Sequence, residues 1–409
     1  MDFVSLFSGI GAFDLGLERA GHKCVLQVEK NSACVQVLQD NFPNVPLVHD
    51  VATVLPCMIP KTARMLVAGF PCQDVSPANP KRLGMTGKKT SLCSHIFRIL
   101  EQRSFAWVVL ENVPGILHRN GNEFPISYVV ESLENLGYSW CHRVVDLAYF
   151  GLPQRRRRVF VVASLHGDPR DVLLSDAVCC DGRCVDKLSE PCYECFAYTP
   201  YTKHQPRSVV IDMSSQRGNF DNNHYDIFPT VTTRNAEHLC IIQTVDDVDG
   251  NAIQAHVETL ERAFGLPRQW TACLTASSVR FRVLGLAVGV PVASWLGKNL
   301  TRPYDKKFLR ANEGIELNDA AKSWPTVAWN ILPQSNLTTQ NTRYCMKKFS
   351  EAAITTQFTS LTKFFVETSY RMDDEKGASF LDICEQNSLP VTDLIYNALV
   401  MKARKKQKW

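Results

Sequence analysis

Residues 3–21, "FVSLFSGIGAFDLGLERAG", decide how the rest of the chain is read. A short apolar run ends in Ser8, Gly9, Ile10 and Gly11 and passes directly into a helical pattern. Glycines at such a turn let the backbone approach a nucleotide-like ligand, and the helix N-terminus beyond it offers unpaired N–H groups. The third glycine of a dinucleotide fingerprint is missing, so by itself the stretch reads equally well as a tight structural turn.

The same rhythm recurs downstream. "KCVLQVEK" (23–30), "MLVAGF" (65–70), "WVVLENV" (107–113) and "VFVVASL" (159–165) are short β-rich runs with amphipathic stretches between them. This alternation predicts an α/β fold, with a Rossmann-like, mainly parallel sheet over residues 1–165. In "SLCSHIFRILEQR" (91–103), Ile96, Ile99 and Leu100 share one helical face and predict a covering helix. From 166 to 249 the sequence turns polar, cysteine-bearing and turn-rich, which predicts a smaller, irregular β-rich domain containing "SVVIDM" and "HLCIIQTV". Helical periodicity returns in "QAHVETLERAFG" and "VRFRVLGLAVGVPVASWLGKNL", so the chain is expected to re-enter the first domain over 250–305. Residues 306–409 form a C-terminal extension without an assigned role, ending in the basic run "KARKKQK".

Composition excludes several classes. With 45% hydrophobic and 21% charged residues in 409, bulk disorder is not expected. The apolar run "VLGLAVGVPVASWLG" is too short for a membrane span and is broken by Gly285, Gly289 and Pro291. The N-terminus lacks a charged region and cleavage site, so an intracellular protein is expected: nuclear in a eukaryote, cytoplasmic in a prokaryote. Fifteen cysteines, an odd number, then read as reduced thiols. A net charge of +4 is small, but the basic residues gather in blocks at 81–89, 155–158 and 402–408.

Acids and a thiol stand at the ends of the expected strands. Glu29 follows the first glycine turn by about twenty residues, where a carboxylate accepts ribose hydroxyls, and Asp50 closes "LVHD", placed for an exocyclic adenine amine. Cys72 in "LVAGFPCQDVSP" reads by itself as a small buried hydrophobe. Its place at the carboxyl end of a parallel strand, where open sheets bind ligands, makes it a candidate nucleophile. The loop after it carries Gly84 and Gly87 with Lys81, Arg82, Lys88 and Lys89, which suggests a mobile basic flap over a phosphate-bearing substrate. Glu111 leaves an apolar run beside Asn112 and Pro114, toward a partly desolvated pocket in which a raised pKa lets it donate a proton. In "QRRRRVFVVAS" strand alternation aims Arg156 and Arg158 into one cleft, with Arg155 and Arg157 pointing elsewhere.

Together, "FSGIGAFDLGLERAG", "VEKN", "GFPCQDVS", "LENVPGIL", "GLPQRRRRVFVVAS" and "VRFRVLGLAVGVPVASWLG" resemble the cytosine C5 DNA methyltransferase family in order and spacing. The resemblance covers about residues 1–165 and 250–300. It implies S-adenosylmethionine as cofactor and DNA as partner, in a monomeric enzyme that flips its target base. Cys72 would add to C6 of cytosine, Glu111 would protonate N3, and Arg158, supported by Arg156, would hold O2. Phe7, Gly9, Ile10, Gly11, Glu29, Lys30, Asp50, Val51, Phe70, Pro71, Asn112, Leu286 and Val288 would line the cofactor site. Gln73, Ser76, Lys81, Arg82, Lys88, Lys89, Thr232, Thr233 and Arg234 would face DNA.

Two departures and two alternatives accompany it. The family's late Gly-Asn-Ser/Ala-Val reads Gly285, Leu286, Ala287, Val288, replacing a buried amide by an alkyl group. In the divergent middle region Cys180, Cys184, Cys192 and Cys195 are spaced C-x3-C-x7-C-x2-C, either a structural zinc site or free thiols. The tRNA-modifying branch of the family usually carries Pro-Pro-Cys-Gln, whereas Phe70 precedes Pro71 here, which favours DNA. A catalytically silent DNA-binding relative is the other alternative; Cys72, Glu111 and Arg158 speak against it.

Overall fold

A computed structural model describes residues 1–71, 92–119, 124–150, 152–174, 208–212, 224–225, 228–243, 252–301, 315–316, 324–325, 327–332 and 343–345. Strands β1 (Asp2–Leu6), β2 (Lys23–Val28), β3 (Leu47–Val48), β4 (Ala63–Gly69), β5 (Trp107–Asn112), β6 (Ser139–Asp146) and β7 (Arg157–Ser164) stand in the order β6-β7-β5-β4-β1-β2-β3. Strands β1 to β5 pair in parallel, and β7 is inserted antiparallel between β5 and β6. The expected mainly parallel α/β sheet is therefore present, with one reversed strand.

The near-continuous burial of β1 and β4 follows from this arrangement, because a parallel sheet is covered on both faces. Alternation divides the side chains between two cores: Phe3 and Val67 on one face, Val4, Leu6 and Leu66 on the other. Helix α1 (Ala12–Arg19) covers the first face, and α2 (Ser32–Asn41) starts at Asn31, whose side chain accepts from the Ala33 and Cys34 amides. Helix α3 (Cys93–Gln102) buries Ile96, Ile99 and Leu100 against the second face, as the periodicity predicts. Each such side chain contributes about 1.5–3 kcal/mol. Helix α4 (Pro125–Asn135) covers the same face, and the short α5 (Arg170–Leu173) follows β7.

A separate antiparallel sheet, ordered β11-β10-β8-β9, gathers β8 (Ser208–Asp212), β9 (His224–Tyr225), β10 (Leu239–Gln243) and β11 (Ala252–Gln254). Helices α6 (Val257–Ala263), α7 (Ser277–Leu284) and α8 (Val290–Thr301) follow. Helix α8 packs on α1: Ser294 donates to the Gly16 carbonyl at 2.9 Å, and the His22 ring meets the Gly297 carbonyl at 2.9 Å.

The region beyond 306, left without a role by sequence, contributes to the same sheet. Strand β13 (Val327–Asn330) pairs antiparallel with β6, and β14 (Tyr344–Cys345) and β12 (Ile315–Glu316) extend the edge outward. Glu134 ties this edge down, accepting from Trp140 Nε1 and Asn330 Nδ2, both at 2.9 Å, and from Arg343 Nη2 at 2.8 Å. Among the described residues no helix is long and apolar enough to cross a membrane.

Candidate active site

The turn after β1 is built on left-handed backbone. Phe7, Gly9 and Gly11 have φ of 56°, 56° and 75°. Such a φ is strained for a bulky residue such as Phe7, and strain of this kind gathers at ligand sites. A side chain at Gly11 would also overlap the Phe42 ring, so α1 can begin there only without one. Glu29 holds the turn from the next strand, accepting from Gly9 N at 2.8 Å and Asn31 N at 2.7 Å. A carboxylate has about four acceptor positions, so two remain for hydroxyl donors. The Trp270 indole N–H supports the turn from below, donating to the Ile10 carbonyl at 2.8 Å while its ring packs edge-on against Phe42. Sequence reading gave Trp270 no role, although it lies in the "ERAFGLPRQWT" stretch before the late motif.

Lys30 and Asp50 are joined at 2.6 Å, and the other Asp50 oxygen caps the short helix that starts at Val51. The Lys30 hydrogen bond and the Ala52 amide hold this carboxyl below its ordinary range. Val51 and Phe70 are core side chains. Asn112 is buried at the end of β5 and donates to the Phe70 carbonyl at 3.1 Å, which fixes the end of β4 where the chain leads into Pro71.

Strand β5 runs beside β4 so that Glu111 pairs with Gly69, and across the antiparallel β5–β7 ladder Glu111 faces Phe160. Arg158, two residues before Phe160, shares its face. The Arg158 Nε–Glu111 Oε1 separation is 2.9 Å, with side chains 14% and 11% exposed. Burial pulls the Arg158 guanidinium below its ordinary pKa, and the Glu111 charge opposes that shift. Glu111 thus has a guanidinium partner in a largely buried setting.

Strand β7 begins at Arg157, so the alternation rule does not extend to Arg156. Its buried guanidinium donates to the Val231 carbonyl at 2.7 Å and the Gly285 carbonyl at 3.2 Å, within electrostatic reach of Arg158 and Glu111. Arg155 turns away to Asp146 at 3.1 Å, and Arg157 is exposed.

These elements line a pocket partly open to solvent. Phe7, Ser8 and Ile10 form one wall, Gly69 and Glu111 the floor, and Leu286, Ala287 and Val288 the opposite wall. The left-handed turn, the Glu29 carboxylate behind it and the Leu286–Val288 segment are the groups that would hold S-adenosylmethionine. Leu286 is 44% exposed, so the alkyl group replacing the family's amide faces open space.

On the recognition side, Thr233 and Arg234 are exposed, whereas the Thr232 hydroxyl is engaged by Asn235 Oδ1 at 2.9 Å. Cys72, Gln73, Ser76, Lys81, Arg82, Lys88 and Lys89 lie outside the described residues, as do Cys180, Cys184, Cys192 and Cys195. Among the described residues no group of three or more metal-ligating side chains gathers.

Solved structures share this fold. The S. pombe Dnmt2 methyltransferase superposes with a TM-score of 0.52 at 15% identity, covering 72% of this chain and 97% of its own. A Spodoptera frugiperda DNMT2 mutant gives 0.51 at 15%, covering 74% and 99%. The molecule is therefore a methyltransferase-type Rossmann-like fold.

Sequence comparison is narrower. The type II methyltransferase M2.BsuMI of Bacillus subtilis (strain 168) is 32% identical over 360 residues, 80% of this chain and 81% of that protein. M.MspI of Moraxella sp is 38% identical over 166 residues, 40% of this chain and 38% of its own. The profile of C-5 cytosine-specific DNA methylases matches residues 1–302, and the chain belongs to that family.

Proposed function

We propose that the protein methylates C5 of cytosine in duplex DNA through a covalent Cys72 adduct with an extruded base. The observation that carries this reading is the Glu111–Arg158 pair, 2.9 Å apart at adjoining strand ends, with Glu111 lining the pocket beside the Phe7–Gly11 turn. Cys72 follows Pro71 directly in sequence, and Asn112 secures the strand end that leads to it.

In this reading Cys72 adds as thiolate to C6, and the C5=C6 π electrons move to C5. Glu111 delivers a proton toward N3, which prevents a second negative charge from building on the ring. Arg158 orients the Glu111 carboxyl and offers its remaining N–H groups to O2. Bound S-adenosylmethionine supplies an electrophilic methyl group, held by the Phe7–Gly11 turn, Glu29, Asp50 and the Leu286–Val288 wall. The cycle closes when the C5 proton is lost and Cys72 leaves C6.

A stacked base hides C5 and C6, so extrusion is required. The basic block at 81–89 is suited to that task, and residues 166–249 to reading the target, with Thr233 and Arg234 toward DNA. Transfer of labelled methyl to unmethylated plasmid DNA and to tRNA tests the reading. Transfer to DNA by the native protein, lost in Cys72→Ala, is expected. Transfer that survives Cys72→Ala defeats the covalent mechanism; transfer to tRNA alone, or to neither acceptor, defeats the DNA assignment.

A further inference from the structure

Arg156 lies one residue before β7, and both of its bonded N–H groups are engaged by backbone carbonyls. Nη1 donates to the Val231 carbonyl at 2.7 Å, and Nη2 to the Gly285 carbonyl at 3.2 Å. Its guanidinium carbon lies 5.0 Å from the Phe264 ring centre. Each contact leads to a different part of one assembly. Val231 enters the turn Thr232–Asn235, which Asn235 locks by accepting from the Thr232 amide at 2.7 Å and donating to Asp212 at 2.8 Å. Gly285 begins the pocket wall Leu286–Val288. Phe264 accepts from Val290 N at 2.9 Å and so fixes the far end of the same wall.

Gly285 reports the same contact independently. Its φ is −59°, open to any residue, yet a Cβ there would overlap the Thr232 carbonyl carbon and the Thr233 nitrogen. The missing side chain serves close approach, not backbone freedom. The turn that exposes Thr233 and Arg234 on its outer side is therefore seated on the cofactor wall by its inner side.

We infer that Arg156 and Gly285 are positioning residues for the S-adenosylmethionine pocket, bolting the Leu286–Val288 wall to the Thr232–Asn235 turn. This rests on the pocket being the cofactor site. A buried guanidinium that satisfies two carbonyls holds them in fixed relation, and charge-assisted bonds of this kind are the strong ones. Removing it frees the wall to shift, which weakens cofactor binding before it touches bond-making.

Calorimetric titration of the full chain with S-adenosylmethionine, without DNA, tests the inference, together with KM and kcat for methyl transfer to unmethylated plasmid DNA. Arg156→Met and Gly285→Ala are each expected to raise the cofactor Kd about tenfold or more, with KM rising by a larger factor than kcat falls. Arg156→Lys, which keeps a cation but reaches one carbonyl at a time, should fall between native and Arg156→Met. A Kd within twofold of native in folded Arg156→Met or Gly285→Ala overturns the inference, as does a loss of kcat at unchanged Kd and KM, the mark of a base contact. Should Arg156→Met fail to fold, Arg156→Lys and Gly285→Ala decide alone. Native protein that binds the cofactor but methylates nothing defeats the proposed function and leaves this test intact. Native protein that binds no cofactor defeats the pocket assignment and the inference with it.

Discussion

Two carboxylate–guanidinium pairs of nearly equal length occupy opposite surroundings. Glu111 and Arg158 approach to 2.9 Å, with Glu111 lining an open pocket and both side chains partly exposed. Glu261 and Arg280 approach to 3.0 Å, but Glu261 is fully buried, and the same oxygen already accepts from the Thr271 amide and hydroxyl. Distance does not separate the two roles. Access does: the Glu261 pair can only brace the junction of α6 and α7, whereas a substrate can reach Glu111.

That contrast is most sharply tested by removing one acid at a time. Glu111→Gln keeps shape and polarity but cannot deliver a proton, so kcat should fall by about 10²–10⁴ with little change in unfolding midpoint. Rate assays and thermal denaturation on the same preparation check both halves; a fall in stability with an intact rate would make the pair structural. Glu261→Ala should reverse the pattern, since breaking a buried pair strands Arg280 and costs about 3–5 kcal/mol. Urea unfolding measures this, and a midpoint unmoved from native would break the comparison.

The contrast also marks what was legible beforehand. Glu111 and Arg158 were readable because both sit at strand ends, where a two-residue period fixes the face. Ile96, Ile99 and Leu100 were readable because three residues on one helical face suffice to locate a core. The reversal of β7 was not, since an apolar run does not record its direction. The carbonyl partners of Arg156 were not legible for a local reason: it precedes the strand, so strand alternation does not govern it. The Glu134–Arg343 tie spans 209 positions and leaves no local trace. Asp14 lies within the quoted opening stretch, yet one acid in a helix looks solvated until β1 and β2 are packed against it.

Asp14 is a third kind of acid, buried without any cation, held by Ser5 Oγ at 2.5 Å and Gln27 Nε2 at 2.7 Å. Burial outweighs both hydrogen bonds and pushes its pKa up to about 7, against an ordinary 3.8. The native state therefore holds a proton over that interval that the unfolded chain has released. The stability it contributes is complete below about pH 4, is lost as pH rises to about 7, and stays flat above, at most about 1.4 kcal/mol per pH unit. Asp14→Asn, with Gln27 turned to accept, should remove this slope. Urea midpoints across pH 4–8 check it, and parallel curves for the two proteins would show Asp14 titrating normally.

The smallest expected effect probes the pocket that gives Glu111 its access. Leu286 stands 44% exposed on the wall opposite Phe7, in the position where the family carries an amide. An alkyl group there leaves any polar atom of a bound cofactor without a partner from this side, whereas asparagine can supply one hydrogen bond at about 0.5–1.5 kcal/mol. Leu286→Asn should then tighten S-adenosylmethionine about two- to tenfold in calorimetry, with kcat nearly unchanged because the contact exists before and during transfer. Unaltered affinity would mean that the wall acts by shape alone, and that Glu29 and the left-handed turn provide the polar recognition. A gain in kcat without a gain in affinity would instead place Leu286 with Glu111, among groups that act on the transition state.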